Sequence, residues 1–315
     1  MTDAWSTLPE AFCARAAQLL PPAALHAFKQ AFAHQPPMAV RWNGPGPLPD
    51  DVLGALATAG VAPRPMSWFA DGVHCDTGDR SMVRALPVHA DGTLVLQAAS
   101  SMFAALCVEA QPGEDVLDVC AAPGGKTALL HRSMQGRGRL VANDLSRARI
   151  ARLRDQLEAL HVDGVQILTG DGVSLARDLP ECFDRVLVDA PCSGEGRWHV
   201  GQPHDWQSWS LSTVRGLAKR QRTLLKAATD MVRPGGVIVY STCTLAPEEN
   251  EGVVADACKD GRLTIDPITP VSEAMVPGVC RWGDVSWPDA MAGTCRIHHG
   301  VDGFTGFFVA RLRRT

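Results

Sequence analysis

From Gln111 onward, short apolar runs alternate with longer amphipathic stretches. Val116-Leu117-Asp118-Val119-Cys120, Leu140-Val141-Ala142-Asn143, Val165 to Thr169, Val186 to Asp189 and Val237 to Ser241 have the length and β-branched content of buried strands. Between them, Lys126 to Met134, Ser146 to Leu160 and Thr213 to Val232 read as helices. This alternation predicts an α/β fold, a parallel sheet with helices on both faces. Gly306-Phe307-Phe308-Val309-Ala310-Arg311 reads as a closing strand on an antiparallel edge. The first ninety residues are less regular. Pro9 to Ala33 reads as one or two short helices broken at Pro21-Pro22, and Met38-Ala39-Val40-Arg41-Trp42 as a strand after Pro36-Pro37. Asn43-Gly44-Pro45-Gly46-Pro47 is a turn, and Asp50 or Asp51 caps a helix that runs through Leu56 to Ala59 and stops at Gly60. Two domains are expected: a small α+β module over 1–90 and the α/β domain over 91–315.

Composition narrows the class without naming a function. Of 315 residues, 46% are hydrophobic and 20% charged, which suits a globular chain and excludes long disorder, collagen and coiled coil. No run approaches the roughly 20 apolar residues of a membrane span. The start, Met1-Thr2-Asp3-Ala4-Trp5, lacks the basic and apolar regions of a secretory leader, so a cytoplasmic protein is expected. Ten cysteines in such a protein read as reduced thiols, some of them candidates for chemistry. Metal binding is not expected: Cys280, Cys295, His298 and His299 are the best candidates, and their spacing fits no standard site. A net charge of -4 gives no bulk nucleic-acid signal, so any such partner has to be recognised by local patches.

The chemistry gathers at predicted strand ends. Asp118 to Thr127 is strand, glycine turn and helix start, and glycine lets a ligand approach the backbone there. A phosphate-binding P-loop would end in Gly125-Lys126-Thr127 but needs glycine at position 120, where Cys120 stands. A Gly-x-Gly-x-x-Gly fingerprint is absent too. The loop Cys120-Ala121-Ala122-Pro123-Gly124-Gly125-Lys126 therefore reads as a nucleoside site, with S-adenosyl-L-methionine the natural ligand. Asp144 follows the second strand, where it would take the ribose hydroxyls. Asp171 follows the third, where it would take the adenine amino group, and Asp189 ends the fourth. Strand-end aspartates also serve as helix caps, the competing reading for each. Cys192 and Cys243 lie on the same predicted rim, in Asp189-Ala190-Pro191-Cys192-Ser193-Gly194 and Ser241-Thr242-Cys243-Thr244.

At these residues the chain resembles the Sun (RsmB/RsmF-type) family of RNA cytosine-5 methyltransferases. Asp118 to Lys126, Asp189 to Gly196, and Tyr240 to Leu245 with its extension Pro247-Glu248-Glu249-Asn250-Glu251 carry the resemblance. Gln97-Ala98-Ala99-Ser100-Ser101, Pro37 to Asn43 and Gly306 to Leu312 are weaker matches, to the opening motif, the N-terminal RNA-binding subdomain and the usual end. The resemblance implies a Rossmann-like class I S-adenosylmethionine-dependent methyltransferase with a small N-terminal RNA-binding module. Cys243 would then be the nucleophile, Cys192 the cysteine that assists product release, and Asp189 the group on the cytosine edge, with Lys126 beside them. The partner would be structured RNA, ribosomal or transfer RNA, met by a monomer. The Cys-Ser-Gly-Glu-Gly turn favours ribosomal RNA; neither a helical N-terminal extension nor an RNA-binding extension after Arg311 is seen to decide the matter. A catalytically silent RNA-binding or assembly factor on the same scaffold is the alternative, and the presence of both cysteines and all three aspartates argues against it. RNA contacts are expected from Arg41, from Arg147 on one helix, from Lys219 and Arg220 on another, and from Arg197. Solvated faces are the competing reading for the two helices. Trp198, Trp206 and Trp209 would stack on bases or pack their own loop. Arg197-Trp198-His199 stands where the family commonly has a basic pair.

Overall fold

The structure is a computed structural model and describes residues 4–34, 38–44, 46–299 and 303–315. The first three residues of the chain start, Pro36 and Pro37 before the first strand and Pro45 in the first turn lie outside the described residues.

Proline punctuates the N-terminal region as expected. Its fixed φ suits a helix start but not a helix interior, so Glu10–Leu19 ends before Pro21 and Pro22–Ala33 begins with Pro22. These two helices do not belong to the α+β module. Phe12, Ala16, Phe28 and Phe32 are buried with Trp198, Trp206 and Leu245 of the large domain. The module begins with β1 (Met38–Trp42), followed by the helix Asp50–Thr58, β2 (Arg64–Met66), β3 (Phe69–Cys75) and β4 (Leu94–Leu96). Asp50 and Asp51 occupy the first turn of that helix, whose cap is Pro49 rather than an aspartate. The antiparallel sheet runs β2-β3-β1-β4, with Val40 opposite both Val73 and Leu96. A boundary at residue 90 is thus too early, since it would detach β4 from its partner.

Among the described residues the large sheet has nine strands. Five are parallel: β5 (Asp115–Asp118), β6 (Arg139–Asp144), β7 (Gln166–Thr169), β8 (Phe183–Asp189) and β9 (Val232–Thr242). β10 (Leu263–Ile265) and β11 (Met275–Pro277) follow, then the small hairpin of β12 (Arg281–Trp282) and β13 (Val285–Ser286), then β14 (Cys295–Ile297) and β15 (Phe307–Arg314). The order is β11-β14-β15-β9-β8-β5-β6-β7, with β10 on β15. β15 is antiparallel as expected but not an edge strand: β14 and β11 continue the sheet beyond it. Alternation along each strand divides the core. Val116, Leu187, Val239 and Val309 face the helices Ala99–Leu106 and Gly125–Ser133; Leu117, Val186, Ile238 and Phe308 face Leu211–Met231 and Glu251–Cys258. Strand order reverses at β5, between β6 and β8. The carboxyl ends on either side open a crevice there.

Candidate active site

The crevice contains a cavity of about 730 Å³, within the usual range for a small-molecule site. Cys120, Ala121, Ala122, Pro123, Gly125 and Lys126 line it. The turn works because Gly124, at φ +113°, adopts a left-handed conformation that only glycine takes readily, and it caps the helix Gly125–Ser133. That helix starts against the cavity, with first-turn N–H groups that have no partner inside the helix.

The three strand-end aspartates have different roles. Asp144 is buried beneath the loop: Oδ2 accepts from Ala122 N at 3.3 Å and pairs with Arg149 at 3.2 Å, while Oδ1 accepts from Ser146 N. Asp171 is exposed and caps the helix Gly172–Asp178 through Val173 N, so the cap reading accounts for it. Of the three, only Asp189 lines the cavity. Asp118 and Gln97, which sequence reasoning misses as ligand contacts, line it as well. Thr127 Oγ1 donates to Asp118 Oδ2 at 2.7 Å, whereas Asp118 Oδ1 and Gln97 Nε2 are buried without partners. Burial raises the Asp118 carboxyl to about 7. A nucleoside-sized cavity with one orphaned acceptor and one orphaned donor beside a helix N-terminus suits S-adenosylmethionine, whose methionine end carries an ammonium and a carboxylate.

The other half of the cavity belongs to the two cysteines. Parallel pairing sets Asp189 of β8 opposite Ser241 of β9, so the loops that follow meet. Cys192 Sγ and Cys243 Sγ are 3.2 Å apart, and Cys243 N donates to Cys192 Sγ at 3.3 Å. The Cys192 thiol, donating to Cys243, is the largest influence that holds Cys243 below the usual thiol range; Arg197 and Lys126 assist, against burial and the charge of Asp189. The same hydrogen bond and burial push Cys192 well above the usual thiol range. Lys126 Nζ donates to Asp189 Oδ2 at 2.7 Å and Ser241 Oγ to Oδ1 at 2.8 Å, so this carboxylate is held in place.

A set of buried acids braces the two loops. Glu249 accepts from Ser193 N and from Gln221 Nε2, and burial raises it to about 7. Glu195 accepts from Thr244 Oγ1, Leu245 N and Trp209 Nε1. Glu251 takes both Nε and Nη2 of Arg296 at 2.6 Å, and Arg296 Nη1 donates to Leu245 O. Gly196 N donates to Cys243 O, and a Cβ at Gly196 would lie 2.0 Å from Gly306 O, so only glycine fits between the loop and the start of β15. The available signal for this bracing was three acids in Pro247 to Glu251, immediately after a strand end.

The expected RNA contacts divide. Arg147, Lys219 and Arg220 are exposed, and Arg197 stands at the cavity mouth beside the cysteines. Arg41 is wholly buried and cannot meet RNA. Nε and Nη1 donate to Gln97 Oε1 and Asn43 Oδ1, each at 2.7 Å, and burial lowers it to about 9, still cationic at neutral pH. Trp198 and Trp206 are buried against Phe12 and Phe32, and Trp209 packs on Phe12, so the packing reading replaces the stacking one. Among the described residues no cluster of three or more His, Cys, Asp or Glu could hold a metal, and no helix is long and apolar enough to cross a membrane.

Parallel strands in the order β7-β6-β5-β8-β9, an antiparallel strand beside the last, and a glycine loop at the first strand end define a Rossmann-like class I methyltransferase domain. Residues 105–313 match the family described as 16S rRNA methyltransferase RsmB/F, and the chain belongs to that family. Ribosomal RNA small subunit methyltransferase F of Citrobacter koseri is 34% identical over 277 residues, covering 84% of this chain and 54% of that protein. The protein of the same name from Enterobacter sp. strain 638 is 32% identical, covering 98% and 63%. The chain thus spans little more than half the length of these relatives. Among solved structures, a methyltransferase homolog protein from Pyrococcus horikoshii superposes over the whole of both chains, with a TM-score of 0.84 and 26% identity. NSun6 from Pyrococcus horikoshii with SFG gives 0.80 over 97% of this chain and 98% of that one; at 20% identity it bears on the fold alone.

Proposed function

We propose that the protein is an S-adenosylmethionine-dependent RNA cytosine-5 methyltransferase acting on small-subunit ribosomal RNA. The observation that carries this reading is the Cys192–Cys243 contact of 3.2 Å beside the Lys126–Asp189 pair at the edge of the loop-lined cavity. Membership of the RsmB/F family and the names of the curated relatives support the choice of reaction, RNA and cofactor.

Carbon 5 of cytosine is a weak nucleophile. Addition of the Cys243 thiolate to carbon 6 makes carbon 5 enamine-like and able to accept an electrophilic methyl group. The bound cofactor supplies that methyl group from its sulfonium. Asp189, fixed by Lys126 and Ser241, holds the cytosine edge by accepting from its 4-amino group, and the Lys126 ammonium beside it offsets the negative charge that thiolate addition sends toward nitrogen 3. The proton at carbon 5 must then leave so that Cys243 can be eliminated. Cys192 takes it, directly or through water, after releasing its own proton to solvent; the sulfur with the higher pKa is the stronger base. The reading is of a monomer that acts on ribosomal RNA in the cytoplasm.

The test is transfer of labelled methyl to total RNA lacking this modification, with Cys243→Ala alongside. Label confined to the small-subunit RNA, mapped to 5-methylcytosine and lost in the variant, is expected. Label in transfer RNA would move the substrate. Stoichiometric RNA binding by folded protein without turnover, on naked RNA and assembly intermediates alike, would overturn the reading in favour of an assembly factor.

A further inference from the structure

The N-terminal module reaches the cofactor site at a specific atom. Gln97 immediately follows β4, and its backbone N–H donates to Ala39 O of β1 at 3.0 Å. Its side-chain oxygen accepts from Arg41 Nε at 2.7 Å. Because a guanidinium only donates, this bond fixes which end of the amide is oxygen. Nε2 is therefore the end turned away from Arg41, and it is buried with no partner. The amide lies against the first residue of the helix Gly125–Ser133: a Cβ built on Gly125 would be 3.4–3.7 Å from it. Module and helix are joined elsewhere too. Arg41 Nη2 reaches Gly125 O at 3.4 Å, and at the far end Arg132 Nη1 donates to Gly44 O at 2.6 Å.

A buried N–H beside a helix N-terminus calls for an anion. Across the same cavity, the wholly buried Asp118 presents an orphaned acceptor, which calls for a cation. A donor and an acceptor left open on one helix start match an α-amino acid, with its carboxylate toward Gln97 and its ammonium toward Asp118. We infer that Gln97 Nε2 binds the carboxylate of the cofactor's methionine end and that Arg41, from the N-terminal module, is the positioning residue that aims it. The inference rests on the S-adenosylmethionine reading. It also gives the module a task at the cofactor, where the sequence suggested only RNA contact for Arg41.

The experiment compares two nucleosides by calorimetry. S-adenosylhomocysteine carries the amino-acid end, and 5′-methylthioadenosine lacks it. Gln97→Glu keeps the acceptor for Arg41 but replaces the donor with a charge that repels a carboxylate. It should weaken S-adenosylhomocysteine about tenfold or more and leave 5′-methylthioadenosine within about twofold, with an unchanged melting temperature in the absence of ligand. Arg41→Lys, which cannot reproduce the Nε contact, should move the same ratio in the same direction. Equal losses for both nucleosides, or no loss for either, would overturn the inference while leaving the cofactor reading intact. A wild-type protein that binds neither nucleoside would overturn both.

Discussion

Replacing Cys192 with alanine probes the thiol pair directly. Cys243 lies below the usual thiol range, and the largest cause is the thiol of Cys192 donating to it. Each unit by which its pKa falls raises the thiolate fraction at neutral pH about tenfold. Without the donor, burial and Asp189 still disfavour the anion, and only Arg197 and Lys126 favour it. The thiolate fraction at pH 7 should then fall by about tenfold to a hundredfold, or about 1.4–2.7 kcal/mol. The assay is the rate of iodoacetamide labelling at Cys243 from pH 5.5 to 10, read by mass spectrometry of its own peptide because Cys192 also carries a thiol. The thiolate grows with pH, so the wild-type profile should rise with a midpoint below that of an ordinary thiol, and that of Cys192→Ala should move to the alkaline side. Cys192→Ser, which keeps a donor, should lie between them. The midpoint carries the test rather than the plateau, since a thiolate of lower pKa is also intrinsically slower. An unchanged midpoint in Cys192→Ala, or one displaced to lower pH, would refute this account of how the nucleophile is activated.

Two further outcomes follow from the surroundings of the site. Arg296→Met leaves Glu251 charged and buried and releases Leu245 O behind the Cys243 loop, so it should cost about 3–5 kcal/mol in urea unfolding; a loss below about 1 kcal/mol would show that the pair does not brace the loop. Lys219→Glu and Arg220→Glu alter exposed charges on the helix Leu211–Met231 and should weaken RNA binding across sequences, each reducing the salt slope by about 1 in anisotropy titrations; an unchanged slope would remove that face from the RNA path.

How far the fold could be read depended on how local its causes are. The strands β5, β6, β7 and β8 and the helices Gly125–Ser133 and Arg147–Ala159 are set by periodicity and by caps such as Ser146, which accepts from Arg149 N, and were legible to within a few residues; the short helix Gly172–Asp178 was not read. β15 was visible as a strand, yet its interior position depends on β11 and β14, drawn from a region of turns and short segments with little periodicity of its own. The cysteines and the glycine loop were legible because their chemistry is written in adjacent residues. Arg41 shows the limit: an arginine in a short strand near the N-terminus reads as a surface cation, and only its meeting with Gln97 and Asn43 makes burial affordable. For the tryptophans the packing alternative holds, but their partners Phe12 and Phe32 are remote in sequence and so were not legible.

The aromatic cluster of the first two helices has a consequence for biosynthesis. Phe12 and Phe32 rest on Trp198, Trp206 and Trp209, and Phe28 stacks at 4.3 Å on His299. The helices Glu10–Leu19 and Pro22–Ala33 are synthesised before the surface that covers their aromatic faces, which lies far downstream in the sequence. During elongation those faces wait uncovered, exposed to aggregation and to any factor that shields apolar helices. Covering those faces is therefore a long-range event, and the loop that carries Cys192 acquires its packed support only with it.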